Sequence, residues 1–142
     1  MGLYEFQQRV TDRLREGKSV VLQAPTGAGK TRAALYHYLE TWDREQPAEF
    51  PRKCVYSVPM RVLAKQFQAE YAEIARGLGI ERPMQTAVQI GDRPDDPKFE
   101  SDLIFTTIDQ TLSNLLGVPY AVGSGRANLN AGAVIASYLV FD

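Results

Sequence analysis

Hydrophobic positions along the chain change period several times, and each change marks an element. Leu3, Phe6, Val10 and Leu14 recur at the spacing of one helical face, which predicts a helix over residues 3–15 with Gly17 as its stop. Residues 19–23, SVVLQ, form a short and almost continuously apolar run, the pattern of a buried strand. Helical spacing returns over 30–42, where Ala33, Ala34, Tyr36, Leu39 and Trp42 are available for packing. Residues 44–52, with Pro47 and Pro51, read as a connecting loop. A second strand at 54–58 runs into Pro59, and a helix follows from about residue 60 to 76, ahead of Gly77 and Gly79. Residues 84–90 alternate as a third strand, 91–97 are a turn-rich loop, 103–106 a fourth strand and 108–116 a fourth helix. The stretch 117–132 is rich in Gly, Asn and Ser and carries no periodicity; 138–141, YLVF, is a last buried strand that delivers Asp142 at its carboxyl end.

Strands that are apolar on both faces and alternate with helices predict an α/β fold, a parallel sheet with helices on both faces. Such open sheets bind ligands beyond the carboxyl ends of their strands. Residues 24–30, Pro59 and Asp142 all emerge there. At 142 residues the chain has the size of one domain with one core, and no internal repeat or boundary divides it.

Composition narrows the partners. Apolar content of 44% and charged content of 23% are those of an ordinary globular protein. The longest apolar run, 131–141, contains Gly132 and Ser137 and falls short of the ~18 residues of a membrane span, so no membrane partner is expected. The first residues, MGLYE, show no basic stretch leading into an apolar one, and a cytoplasmic location is the expectation. Cys54 is the single cysteine, which excludes an internal disulfide and a cysteine-based zinc site; within its strand it reads as a small buried residue. His37, the single histidine, reads as a helix-surface residue with no His-Asp doublet beside it. A net charge of −1 gives no overall attraction for nucleic acid, so local groups must supply any contact.

The chemistry concentrates in Ala24-Pro25-Thr26-Gly27-Ala28-Gly29-Lys30-Thr31, which matches the phosphate-binding pattern GxxxxGK[ST] with Ala in place of the first Gly. A triphosphate needs many donors, and backbone N–H groups turned inward at a helix N-terminus provide them. Gly27 and Gly29 let the backbone approach, Lys30 brings a charge to the β and γ phosphates, and the Thr31 hydroxyl suits Mg²⁺. The motif lies between a predicted strand and a predicted helix, the setting it requires, so a nucleoside triphosphate with Mg²⁺ is the expected ligand. An acidic loop, Asp92-Arg93-Pro94-Asp95-Asp96, lacks the spacing of a calcium hand and reads as solvated. Arg126 and Asn128 suit either a DNA contact or a turn.

Further stretches carry a family resemblance. The form Ala-x-Thr-Gly-x-Gly-Lys-Thr resembles the P-loop of superfamily 2 (DExD/H-box) helicases and translocases. Gln7, preceded by Tyr4 and Phe6, is similar to their adenine-reading glutamine; an amide donates and accepts at once, as an adenine edge demands. Val58-Pro59-Met60-Arg61-Val62-Leu63-Ala64 resembles their Pro-Thr-Arg-Glu-Leu-Ala segment, in which Pro59 ends a strand and Arg61 offers a planar fork to a backbone phosphate. Thr106-Thr107-Ile108-Asp109-Gln110 resembles the segment that holds the next phosphate, with Thr107 and Gln110 the candidate contacts. Val140-Phe141-Asp142 is similar to the start of the Asp-Glu-x-His segment, in which the Asp, here Asp142, holds Mg²⁺ and acts with Lys30 in catalysis.

Within that superfamily, "VLQAPTGAGKT", "VPMRVLAKQF", "FTTIDQTLSNLLGVPY" and "GRANLNAGAVIASYLVFD" together look most like the helicase of type I CRISPR interference. That likeness implies a RecA-like P-loop fold, ATP-dependent movement on single-stranded DNA, a surveillance complex with guide RNA as partner, and an HD nuclease fused or separate. It also implies that residues 1–142 are the first RecA-like lobe, cut at the Walker B strand, with the second lobe and the nuclease outside it. A P-loop kinase or switch, and a module that binds nucleotide or DNA without turnover, are the competing readings. The glutamate and second lobe that complete the family's machinery are not among these residues, so the 142-residue polypeptide alone is expected to bind ATP weakly and not to hydrolyse it. Steady ATP hydrolysis by this purified polypeptide is the result that overturns that expectation.

Overall fold

The computed structural model describes residues 2–43, 50–77, 83–91, 99–117 and 127–142. In chain order these form α1 (Glu5–Arg15), α2 (Lys30–Asp43), β1 (Cys54–Val58), α3 (Arg61–Arg76), β2 (Thr86–Gln89), β3 (Leu103–Thr107), α4 (Ile108–Leu115), α5 (Ala127–Ile135) and β4 (Tyr138–Phe141). The strands make one four-stranded sheet in the order β2-β3-β1-β4, and every pairing is parallel. Every residue of β1 and β3 is buried, as continuous apolar runs covered on both faces require. This is the α/β parallel sheet that the alternation predicts, in agreement with the RecA-like fold that the resemblance implies.

Side-chain alternation along the strands sends neighbours to opposite faces. On one face Cys54, Tyr56, Val58, Leu103 and Phe105 pack against Leu35, Tyr38 and Trp42 of α2 and Ala64, Tyr71 and Ala75 of α3. On the other, Val55 and Ile104 pack with Phe99 and with Val134 of α5. The helix α1 lies outside this sandwich, its Val10 and Leu14 against Ala33 of α2, and Gly17 ends it at φ +70° with its N–H bonded to the Leu14 carbonyl. Burial pushes the pKa of the Cys54 thiol up.

Three expectations need correction. Residues 19–23 do not join the sheet, although Val20 and Leu22 still pack toward α1 and α2. A cleft of about 780 Å³, lined by Val20, Val21 and Leu22 on one side and Tyr138, Val140 and Asp142 on the other, separates this segment from β4. Among the described residues the sheet ends at β4, and Val21 is fully exposed.

Residues 127–135 are helical although the sequence there is poor in helix formers. Tertiary contacts supply what propensity does not: Val134 is fully buried, and Asn130 donates a 2.7 Å hydrogen bond to Asn114 of α4. His37 is buried rather than on a helix surface, because α1 and Phe50 cover its side of α2; its ring stands edge-on to Phe50 at 4.7 Å, and its Nδ1 lies 3.8 Å from Glu40. The acidic loop 92–96 and Arg126 fall outside the described residues, as does the side chain of Asn128.

Phe105 is the hinge of the larger core, fully buried with its ring 5.7 Å from Tyr56, 6.3 Å from Phe67 and 5.9 Å from Tyr71. Phe105→Ala is expected to cost about 3–5 kcal/mol, read as a fall in the urea midpoint at unchanged slope. A loss below about 1 kcal/mol would remove the aromatic cluster from the centre of the fold.

Candidate nucleotide site and the adjoining strand edge

The loop from Ala24 to Gly29 leads directly into the first turn of α2, so the N-terminal N–H groups of that helix face the loop. Gly27 and Gly29 both sit at positive φ, +78° and +88°, where a side chain is strained. Gly29 is constrained a second time: a Cβ there would stand 2.7 Å from Nε2 of Gln7. Ala28 N–H closes a turn onto the Pro25 carbonyl at 3.2 Å, and Lys30 Nζ donates to the carbonyls of Ala24 and Pro25, each at 3.2 Å. Lys30 thus folds over its own loop, with its charge above the ring of backbone that a phosphate would meet. Thr26 and Gly27 are exposed at the rim.

Gln7 occupies a different position from a simple base-reader. It is 1% exposed, its Oε1 accepts from the Tyr4 N–H at 2.9 Å, and its Nε2 donates to the Gly29 carbonyl at 3.1 Å. In this arrangement the amide is a strut between the start of α1 and the phosphate loop. The exposed aromatic surface beside it is Tyr4, whose ring lies nearly parallel to that of Phe6 with 6.3 Å between centroids.

Asp142 follows β4 across the cleft. Its N–H bonds to the Ser57 carbonyl at 2.9 Å, which continues the β1–β4 ladder by one residue. Its Oδ2 accepts from the Tyr56 hydroxyl at 3.0 Å, and Tyr56 is also hydrogen-bonded to Thr31. Lys30, Tyr56 and Asp142 line the same cleft. A hydroxyl and a carboxylate brought together beside a lysine form a donor set of hard oxygens, the chemistry that Mg²⁺ takes when phosphates complete its shell. Among the described residues no cluster of three or more His, Cys, Asp or Glu offers an all-protein metal site. The hydroxyl and carboxylate oxygens suit a Mg²⁺ that takes its other ligands from phosphates.

The candidate nucleic-acid contacts lie along the same carboxyl edge. Pro59 and Arg61 follow β1, and Thr107 ends β3 opposite Val58. Arg61 is exposed and its guanidinium packs over Gly91, where a Cβ would meet Nη1 at 3.5 Å. Gln110 reaches the same glycine from the other side, with Nε2 at 3.4 Å from its carbonyl. Thr107 and Gln110 are 4% and 2% exposed, so Arg61 is the side chain of this group presented to solvent, together with Pro59. Gly91 was invisible as a site residue in sequence, where it is one more glycine at the head of a turn-rich loop. Tyr56 was also missed; its one signal is a polar-tipped ring in an otherwise small or aliphatic strand, CVYSV.

Among the described residues no helix is long and apolar enough to cross a membrane. Comparison with known proteins gives relatives of one kind. The chain is 34% identical over 120 residues to the ATP-dependent DNA helicase Hel308 of Thermoplasma acidophilum, an alignment that covers 83% of this chain and 16% of that protein. It is 31% identical to the Hel308 of Thermoplasma volcanium with the same coverage. It is 23% identical over 137 residues to the ATP-dependent RNA helicase dbp8 of Schizosaccharomyces pombe, with 86% of this chain and 30% of that protein aligned. The chain therefore spans less than a third of the length of each of these relatives. The model of the DEAD/DEAH box helicases matches residues 4–142, and with the phosphate loop, Arg61 and Asp142 on one edge of a parallel sheet, the chain belongs to the DEAD/DEAH box helicase family.

Proposed function

We propose that this chain is the ATP-binding lobe of an ATP-dependent translocase that moves on single-stranded DNA. The observation that carries the reading is the convergence of Lys30 and Asp142 on one cleft, with Tyr56 between Asp142 and Thr31 and with Arg61 exposed on the same sheet edge. The backbone of residues 26–31 and Lys30 would receive the triphosphate, and Thr31 and Asp142 would hold its Mg²⁺, whose charge would offset that of the phosphates. Gln7 fixes the loop to α1 so that the purine side and the phosphate side of the site move together, with Tyr4 and Phe6 as the stacking surface. Pro59, Arg61, Thr107 and Gln110 form the strand side: Arg61 pairs with a phosphate, while the buried Thr107 and Gln110 shape the junction and the Gly91 backbone beneath it. The DNA preference is supported by the Hel308 relatives, which are ATP-dependent DNA helicases.

The finer reading places this motor in type I CRISPR interference, in the cytoplasm, recruited by a surveillance complex with guide RNA and coupled to an HD nuclease. It is supported by the wording of the four segments quoted above, whereas the relatives aligned here are Hel308 and dbp8 proteins. Retention of the protein on a DNA loop opened by such a complex, and not on bare forked DNA, is the expected result; equal binding to both removes the CRISPR role and leaves the translocase.

Lys30→Ala removes a charge-assisted contact worth about 1.5–3 kcal/mol, so ATP affinity is expected to fall about 10- to 100-fold in a calorimetric titration. Unchanged affinity overturns the phosphate-loop assignment. Arg61→Ala is expected to weaken binding to single-stranded DNA and to lower the salt slope by about one unit. A slope equal to that of the unaltered protein takes Arg61 off the DNA path.

A further inference from the structure

Tyr56 is the middle residue of β1, paired with Phe105 on one side and Val140 on the other. Its ring is 1% exposed, edge-on to Phe67 at 5.7 Å and tilted against Phe105 at 5.7 Å. Packing explains the ring and leaves the hydroxyl unexplained, since phenylalanine would fill the same space without the cost of burying a polar atom. The hydroxyl is directed to the nucleotide cleft, where it bonds to Asp142 Oδ2 at 3.0 Å and to Thr31.

The directions of these two bonds follow from the donor inventory. A phenol has one O–H to give, and an ionised carboxylate only accepts. The Tyr56 proton therefore goes to Asp142, and Thr31 donates to Tyr56 Oη. This relay runs Thr31 Oγ1–H to Tyr56 Oη, then Tyr56 Oη–H to Asp142 Oδ2. It turns the Thr31 proton away from the phosphate loop and leaves that oxygen's lone pairs for a cation. It also holds one oxygen of Asp142, leaving Oδ1 for the same cation.

We propose that Tyr56 is a positioning residue for the Mg²⁺ of bound ATP, orienting Thr31 and Asp142 as a pair. The inference rests on the reading that those two residues hold Mg²⁺, and it adds a link that neither the phosphate loop nor the carboxylate segment contains. Because the ring is clamped between α3 and β3, the hydroxyl has little freedom to follow a displaced ligand. The pair is set in advance, and the cation meets two oxygens already placed.

The test measures binding of a fluorescent ATP analogue to the 142-residue chain in Mg²⁺ and in EDTA. The readout is the ratio of the two dissociation constants, which isolates the metal from the rest of the site. Tyr56→Phe keeps the ring in its cluster, and a cooperative thermal melt checks that it does. The ratio is expected to fall about tenfold in Tyr56→Phe, in the range for loss of an outer partner of a metal ligand. In an Asp142→Asn background the same change is expected to add little, because the relay has already lost the charge that orders it. A Tyr56→Phe protein with the unaltered ratio overturns the inference while leaving the Mg²⁺ site standing. Full additivity of the two substitutions also overturns it, since independent residues add. If the unaltered chain binds the analogue equally with and without Mg²⁺, the metal reading falls, and this inference with it.

Discussion

The strand β1 is hydrogen-bonded along both edges, to β3 on one side and to β4 on the other, and the two registers run parallel. Everything at the site depends on that double pairing. It sets Val58 beside Thr107 and carries the β4 ladder one residue further, through Asp142 N–H to the Ser57 carbonyl. A slip of one residue on either edge would send every side chain of that strand to the wrong face. Asp142 would then lose Tyr56, and Arg61 would leave the glycine on which it rests. Parallel pairing also brings the carboxyl ends of β1, β3 and β4 to one side, which is where an open α/β sheet receives a ligand.

Buried polar groups keep this edge rigid. Ser57 and Thr111 share a hydrogen bond of 2.6 Å between β1 and α4, Thr106 donates to the Gln89 carbonyl at 2.7 Å, and Asn114 joins α4 to Asn130 of α5. Each group is costly to bury alone and stabilising when partnered, so the set favours one arrangement of the helices over near alternatives. The aromatic side of the sheet has the complementary role. Tyr56, Phe67, Tyr71 and Phe105 form a dense core in which one hydroxyl, that of Tyr56, points out toward the nucleotide cleft. Packing and chemistry thus meet in a single residue.

The phosphate loop shows a similar economy. Gln7 and Gly29 are 22 positions apart in the chain, yet the amide of one bonds to the carbonyl of the other and leaves no room for a side chain there. The contact ties α1, which has no place in the sheet, to the part of the molecule that would meet a nucleotide.

Most of the architecture was legible in order of residues. Apolar runs at 54–58, 103–106 and 138–141 became strands, and the spacing over 30–42 and 60–76 became helices, because burial on two faces or on one stripe imposes those periods locally. The phosphate loop, Pro59, Arg61 and Asp142 were also visible, since each is a residue type whose chemistry is recognisable at a strand-to-helix junction. What required the tertiary structure was anything decided by a distant neighbour. The run 19–23 has the pattern of a strand and yet stays outside the sheet, across a cleft from β4; the stretch 127–135 has poor propensity and a buried seat for Val134. His37 is interior because α1 happens to cover it. Tyr56 became a site residue when folding placed its hydroxyl between Thr31, 25 positions before it, and Asp142, 86 positions after it. The chain's own pattern determined most of the helices and strands and the place of the phosphate-loop motif, while the packing of remote segments decided the exceptions and which polar atoms come together, because hydrogen bonds select by distance in space and not by separation in sequence.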